Sequence, residues 1–421
     1  MSFCIHVPRF LRQNRMLCKI YAIEKRYDLH DLCFLILLFV FPFFQIFKHS
    51  TMWLLPICAA MLLLLCSSAT QEETITVDFL DFLVFLVLLL QASTVITGYG
   101  RAVDALTAAL LTSVGFSARR FFDGEENRER FVFLSAVALC VVSAVGVGQY
   151  LFGLAELRWV DASRFGDIGG RVTSFFSNPN ILAVYLLLYF PLSLNATFSF
   201  QNNGRMRLFN AVTAFLSALC ILLTWSRGAW LGLALEVVLF LLLHSKRSRN
   251  ILCLLPLMLL AIPLLPSNFK GRLYSIGDLG ESSIRYRLLT WQGAWKMLGK
   301  HPFGIGVGER AWRAVFPHFA VSGTARVMHA HNVFLQVAAE LGVVGIFVFF
   351  LLIVKVLFCG LQKRNIAPLL ALSGVLLMGM FDHLWYAPAM LIPFWSMIAL
   401  CVRSERKLTK KSLFVDILHE K

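Results

Sequence analysis

Apolar runs close to 18 residues or longer recur along almost the whole chain, separated by short polar breaks. Each run is long enough to cross about 30 Å of hydrocarbon as a helix. Within lipid every backbone N–H and C=O needs an internal partner, which leaves helices or a closed barrel. A barrel would read as alternating segments of about 10 residues, and the sequence has no such pattern. The chain is therefore expected to be all-α, a polytopic transmembrane helical bundle of about 12 spans. Composition agrees: 58% of the 421 residues are hydrophobic and only 15% are charged.

The spans are expected at roughly 32–48, 51–68, 77–97, 102–119, 131–152, 179–199, 208–225, 228–244, 250–266, 332–359, 366–384 and 386–402. The fourth carries Arg101 and Asp104 at one end and has an interfacial alternative.

A net charge of +15 would suit nucleic acid, but its placement argues for the positive-inside pattern of cytoplasmic loops instead. Much of the positive charge lies in the N-terminal segment (Arg9, Arg12, Arg15, Lys19, Lys25, Arg26), in short loops (Arg119 and Arg120; Arg205 and Arg207; Lys246, Arg247 and Arg249; Lys363 and Arg364) and in the tail (Arg403, Arg406, Lys407, Lys410, Lys411). This gives a cytoplasmic segment over 1–31, helices over 32–266, a large extracytoplasmic loop over 267–331 containing short helices, further helices over 332–402, and a basic cytoplasmic tail over 403–421. Both termini are expected in the cytoplasm, with no cleavable leader before the first long apolar run. The ten cysteines all fall in spans or cytoplasmic segments, where they read as small apolar fillers rather than a disulfide framework or metal site.

The loop over 267–331 is far longer than any other connection, and long loops are usually functional. Within it, Ser283 to Leu298 reads as an amphipathic helix with Arg287, Trp291 and Trp295 four apart on one face. Arg285 and Arg287, two apart, point different ways on a helix, so at most one serves a given site. Arg227, in Trp225-Ser226-Arg227-Gly228, stands at a membrane boundary; on spacing alone it reads as a snorkelling side chain, with an anion clamp as the functional alternative. His331 ends the loop, and a histidine there has the right chemistry for a general base near neutral pH. The stretch Gly304-Ile305-Gly306-Val307-Gly308 lacks the strand–helix setting of a nucleotide loop and reads as a tight turn. Glu236, Asp382 and His383 are ionisable groups in or near spans, which are functional candidates by default.

Taken together, the motifs resemble those of the O-antigen ligase and O-antigen polymerase superfamily of bacterial membrane glycosyltransferases. The family pattern of His, then Asn, Ser or Gln, nine residues, Gly, two residues and Gly, Thr or Tyr is met by His331, Asn332, Gly342 and Gly345. His329-Ala330-His331-Asn332 matches the polymerase-like wording. A loop Arg followed after three residues by Leu or an aromatic is met by Arg285 with Leu289 and by Arg287 with Trp291, the second being preferred. Ser226-Arg227-Gly228, Asn178-Pro179-Asn180 and the stretch from His301 to Gly306 add to it. Named motifs cover roughly 165–350.

The resemblance implies transfer of a glycan from a polyprenyl-pyrophosphate carrier to an acceptor hydroxyl on a glycan, lipid or protein. It implies inversion at the anomeric carbon, with no metal, no cofactor and no nucleic acid. His331 would be the base, and Arg227 and Arg287 would hold the leaving pyrophosphate. Arg285, Arg171, His329 and Asn332 are secondary candidates. The main alternative is a small-anion transporter built on Glu236, Asp104 and Asp382; a scaffold leaves the Arg and His motifs unexplained.

Overall fold

The computed structural model describes residues 2–8, 12–40, 43, 50–72, 74–156, 170–199, 202–245, 250, 266–278, 282–383 and 388–402. Its elements, in chain order, are β1 (Ser2–His6), α1 (Arg15–Tyr27), α2 (Leu29–Leu35), α3 (Ser50–Ala69), β2 (Thr74–Asp78), α4 (Phe79–Thr97), α5 (Ala102–Phe121), α6 (Glu125–Leu151), α7 (Pro179–Thr197), α8 (Gly204–Leu223) and α9 (Arg227–His244). Then follow α10 (Ser267–Tyr274), α11 (Ser282–Lys300), α12 (Glu309–Val315), α13 (Val333–Lys363), α14 (Ile366–Gly379) and α15 (Pro388–Val402).

The chain is an all-α integral membrane protein. Six helices, α4, α6, α7, α8, α9 and α13, are long and apolar enough to cross a bilayer; α2 with its π-helical extension to Val40, the 56–69 part of α3, α14 and the 390–402 part of α15 are shorter apolar helices. The stretch α5, the weakest span in the sequence, is helical but falls outside both groups. The expected span at 250–266 lies outside the described residues apart from its two end positions. The sequence did not suggest the one small sheet, in which β1 pairs antiparallel with β2, Ser2 opposite Asp78 and His6 opposite Thr74.

The central element is α7. Asn178 caps it, its side chain accepting from the Asn180 N–H at 2.8 Å, and Pro179 occupies the first turn, where no N–H is needed. Every residue from Leu182 to Leu192 is buried, and a helix apolar all round belongs in the middle of a bundle. It packs against α6, α8, α14 and α15. Its 19 residues span roughly 28 Å, so Asn180 and Thr197 mark opposite membrane-boundary ends. The end near Asn180 also holds the start of α9, the start of α13 and the end of α14, through Arg171–Thr224, Arg171–Asn180 and Asn332–Met380 hydrogen bonds. The other end carries ion pairs from Arg120 to Glu24 and from Arg119 to Asp78.

From α11 to the start of α13 the chain forms a folded cap. Trp312 and Phe316 stack at 4.6 Å and join Ala294, Met297, Ile305 and Val327 in a second apolar core. The Trp312 indole N–H donates to the Val327 carbonyl at 3.0 Å, so its one polar group is satisfied. As expected, α11 is an amphipathic helix. Its Arg287–Trp291–Trp295 line does not hold one face, however: Trp291 packs on the cap core, and Trp295 is 62% exposed. A four-residue step falls 40° past a full turn, so a line of three drifts around the helix.

Among the described residues no disulfide forms, and eight cysteines are free.

Candidate active site

His331 sits where the cap meets α13, in the left-handed region at φ +48. A non-glycine residue held there is strained, and such strain gathers at functional positions. Its neighbour Asn332 fixes the local geometry twice. The Asn332 side-chain carbonyl caps α13 by accepting from Leu335 N–H at 3.0 Å, and its amide donates to the Met380 carbonyl at 2.9 Å. That second bond brings the end of α14, and with it Asp382, to His331.

The Nδ1 of His331 lies 3.4 Å from Asp382 Oδ1. The other carboxylate oxygen accepts from the Asn180 side-chain amide at 2.6 Å, and Asn180 Oδ1 accepts from Arg171 at 2.7 Å. A hydrogen-bonded line therefore runs His331–Asp382–Asn180–Arg171. Arg171 also donates to the Thr224 carbonyl at 2.7 Å. An ionised carboxylate only accepts, so the hydrogen of His331 belongs on Nδ1 and the lone pair on Nε2. His329 stacks edge-on to His331 with centroids 4.2 Å apart and lies 4.8 Å from His383; Tyr286 on α11 approaches His331 at 6.4 Å.

The surroundings are strongly cationic. Burial, then Arg272, Arg287 and Arg227, push the buried Arg171 guanidinium down to about 9 against the pull of Asp382. It stays charged at neutral pH. Burial works to raise the Asp382 carboxyl, but the His331 hydrogen bond and the charges of His331, Arg287 and His329 outweigh it and hold it well below the usual carboxylate range. Burial, His331 and Arg287 push His329 down to about 4, so it is neutral at pH 7. Arg171 and the three guanidiniums that act on it, set against the one acid, make a region that attracts an anion.

Arg227, at the first position of α9, is buried and donates to Ser275 (carbonyl and hydroxyl, both 3.0 Å) and to the Ser283 hydroxyl at 2.8 Å. It is a buried tie between α9, α10 and the start of α11 as well as a charge near Arg171, not the snorkelling group its spacing suggested. Arg287 acts electrostatically on Asp382, His329 and Arg171, whereas Arg285 on the same helix is exposed and enters none of these interactions. Arg272, which no motif marks, donates to the Trp225 carbonyl at 3.1 and 3.2 Å. By sequence Asp382 reads only as a residue of a transport path.

His329, His331 and Asp382 offer three atoms within 4.8 Å of one another, the one such His/Cys/Asp/Glu group among the described residues. The surrounding guanidiniums oppose a second cation there. The other acids proposed for a transport path stand in separate settings. Asp104 pairs with exposed Arg101 beside Gly308. Glu236 is fully buried in the space that Gly374 leaves between α9 and α14.

The glycines of the His–Asn motif have a structural role. Gly342 breaks α13 at φ +72, ψ −169. The stretch 302–306 patches the break: Ile305 and Gly306 N–H groups donate to the Ala339 and Glu340 carbonyls at 2.9 and 3.0 Å, and Val343 N–H donates to the Pro302 carbonyl at 2.8 Å. The stretch read as a tight turn is thus a backbone splint. Further along, the Gln336 side chain accepts from Ala330 N–H at 2.8 Å and donates to Glu340, which accepts from Gly308 N–H at 3.2 Å. Loop, break and His331 form one hydrogen-bonded unit.

Residues 212–350, from within α8 to past the Gly342 break, match the O-antigen ligase family. The match covers about a third of the chain, and by it the chain is similar to the O-antigen ligase superfamily. Curated protein sequences give no match. The match takes in Arg227, Arg272, Arg285, Arg287, His329, His331 and Asn332, and stops short of Arg171, Asn180 and Asp382. This likeness, with the apolar helices, supports a membrane glycosyltransferase of the ligase or polymerase type in general. The hydrogen-bonded line joins His331, inside the matched segment, to three residues outside it.

Proposed function

We propose that the protein transfers a glycan from a polyprenyl-pyrophosphate carrier to an acceptor hydroxyl, at the outer face of the cytoplasmic membrane. The basic loops then face the cytoplasm, as do both termini, and the loop over 267–331 faces out. The observation that carries the proposal is the pairing of a histidine, oriented by a carboxylate, with four arginines at one end of the bundle.

In this reading His331 Nε2 takes the proton of the acceptor hydroxyl as its oxygen attacks the anomeric carbon. Asp382 holds the ring through Nδ1 and stabilises the imidazolium that forms. The bond from the anomeric carbon to the carrier's phosphate oxygen breaks, and polyprenyl pyrophosphate leaves with the electron pair. Attack and departure on opposite faces invert the anomeric centre. Arg287 and Arg227, with Arg171 buried behind them, stabilise the charge growing on pyrophosphate; a well-placed donor of this kind is worth about 3 kcal/mol. Arg285 is the lesser candidate, since its side chain is exposed. His329, neutral, and Asn332 position His331. The reaction needs neither metal nor nucleotide, because the arginines supply the charge that a metal would.

The test is purified protein in detergent with a polyprenyl-pyrophosphate oligosaccharide from its own host and a chelator, beside His331→Ala. Glycan that lengthens with wild type alone indicates a polymerase. Carrier release that depends on a distinct added acceptor indicates a ligase. Equal turnover by folded wild type and variant would remove His331 from the chemistry.

A further inference from the structure

At the opposite end of the bundle, roughly 22 Å along α7 from Asn180, lies a cavity of about 610 Å³. The ends of α6, α7, α8, α14 and α15 enclose it. It shares no residue with the His331 site. Two of its lining residues carry a buried polar atom that lacks a partner among the described residues: Arg128 at its Nε–H, a donor, and Asn210 at its Oδ1, an acceptor. Asn210 is itself only 2% exposed. Native structures rarely leave such atoms unpaired unless water or a ligand meets them.

The charges around the cavity balance, with Glu125 and Glu129 against Arg128 and Arg364. The Arg128 Nη2 is a loose 3.7 Å from Glu125. A lone anion or a lone cation therefore gains little there, while a molecule with both charges gains twice. The cavity wall also includes Val132 and Phe133. From Phe133 a strip of exposed apolar side chains, Phe133, Val137 and Val141, climbs the outer face of α6, and Leu208, Val212 and Phe215 do the same on α8. The four- and three-residue steps on α8 keep its strip near one helix face, while the two four-residue steps on α6 carry its strip gradually around the helix.

We propose that this cavity is a binding site for a phospholipid whose headgroup carries a phosphodiester and a primary ammonium, of the phosphatidylethanolamine type. The phosphate accepts from Arg128 Nε. The ammonium, a three-hydrogen donor, gives one hydrogen bond to Asn210 Oδ1 and pairs with Glu129. The acyl chains lie along the apolar strips. A choline headgroup has no N–H for Asn210, and a glycerol headgroup has no cation for Glu129, so both bind more weakly. The site is independent of the glycosyl-transfer reading.

The test uses the full-length protein, delipidated in detergent, with thermal unfolding followed by tryptophan fluorescence. Phosphatidylethanolamine, phosphatidylcholine and phosphatidylglycerol of one chain length are titrated separately, beside soluble phosphoethanolamine. A lipid that binds only the folded state raises the Tm in proportion to its occupancy. The ethanolamine lipid is expected to give the largest rise. Arg128→Gln should weaken it about tenfold, the loss typical of one charge-assisted hydrogen bond, and Glu129→Gln should erase its lead over the choline lipid. Should Arg128→Gln fail to fold, Glu129→Gln, whose side chain is exposed, carries the test alone. Equal shifts from all three lipids, or an unchanged headgroup preference in Glu129→Gln, overturn the proposal. A matching shift from phosphoethanolamine without chains overturns the assignment to a lipid.

Discussion

His331 Nδ1 and Asp382 Oδ1 stand 3.4 Å apart, across 51 positions of sequence. The contact depends on the Asn332 amide holding the Met380 carbonyl at 2.9 Å, so the motif residue beside the proposed base also delivers the acid that orients it. Asp382→Asn keeps the shape and removes the charge. It is expected to lower kcat by about 10-fold or more, less than the roughly 10²- to 10⁴-fold loss for His331→Ala, with KM for the carrier-linked donor little changed. Steady-state kinetics at fixed acceptor check this; an Asp382→Asn enzyme with wild-type kcat would detach the acid from the base.

The two loop arginines should separate cleanly. Arg287 acts on Asp382, His329 and Arg171, and Arg285 is exposed. Arg287→Lys loses the planar fork that grips phosphate and should cost about 10- to 100-fold in kcat/KM, whereas Arg285→Lys should stay within about threefold. Equal losses would mean that α11 presents both groups to substrate. Arg227→Lys should lose stability as well as rate, because it also breaks the bonds to Ser275 and Ser283.

Gly342 is expected to tolerate no side chain. At φ +72, ψ −169 its backbone belongs to a region occupied essentially by glycine, and an added Cβ would stand 2.4 Å from the Pro302 carbonyl oxygen. The Gly342→Ala variant should lose about 3 kcal/mol or more of stability, read as a fall in Tm and in the yield of detergent-stable protein. Gly304→Ala should behave alike, since its Cβ would meet the Glu340 carbonyl at 2.3 Å from the other side of the same splint.

How much of this was legible in the chain depends on the range of the interaction. Asn178-Pro179 and the long apolar run after it identify α7 because capping and hydrophobic length are local properties. The spacing of His331, Asn332, Gly342 and Gly345 is readable as a motif, and so is the amphipathic character of α11. What the motif does physically is not local: the break at Gly342 exists only because 302–306 comes back to cover it. Asp382 looked like an acid in a span because nothing in its own neighbourhood shows that α14 stops at Gly379 and turns toward His331. Arg272 is invisible in sequence for the same reason, since its partner is the carbonyl of Trp225, 47 positions away. On spacing alone Arg227 reads as snorkelling, because its hydroxyl partners lie 48 and 56 residues on.

Acid should loosen the cap, and His329 should be a main cause. Its folded pKa is about 4, against about 6.5 for a free histidine. Between those values the unfolded chain binds a proton that the folded protein refuses, so stability is complete above pH 6.5 and falls as the pH drops toward 4. The loss is at most about 3 kcal/mol from this residue. Asp382 contributes nothing in that window: its folded pKa is depressed below the ordinary carboxylate value near 4, so its stabilisation persists above that value and fades only in stronger acid. His383, which burial also pushes well below the normal range, adds to the same acid loss. Thermal unfolding of wild type from pH 7.5 to 4.5 should therefore show a Tm that declines below pH 6.5. In His329→Gln, where the amide carbonyl replaces Nδ1 as acceptor for the His331 N–H, the decline should be shallower and the remainder should vanish when His383 is replaced as well. A slope identical in wild type and His329→Gln would show that His329 takes up its proton as readily in the folded cap as in water, and that the cap is more open at that residue than its packing against His331 and His383 indicates.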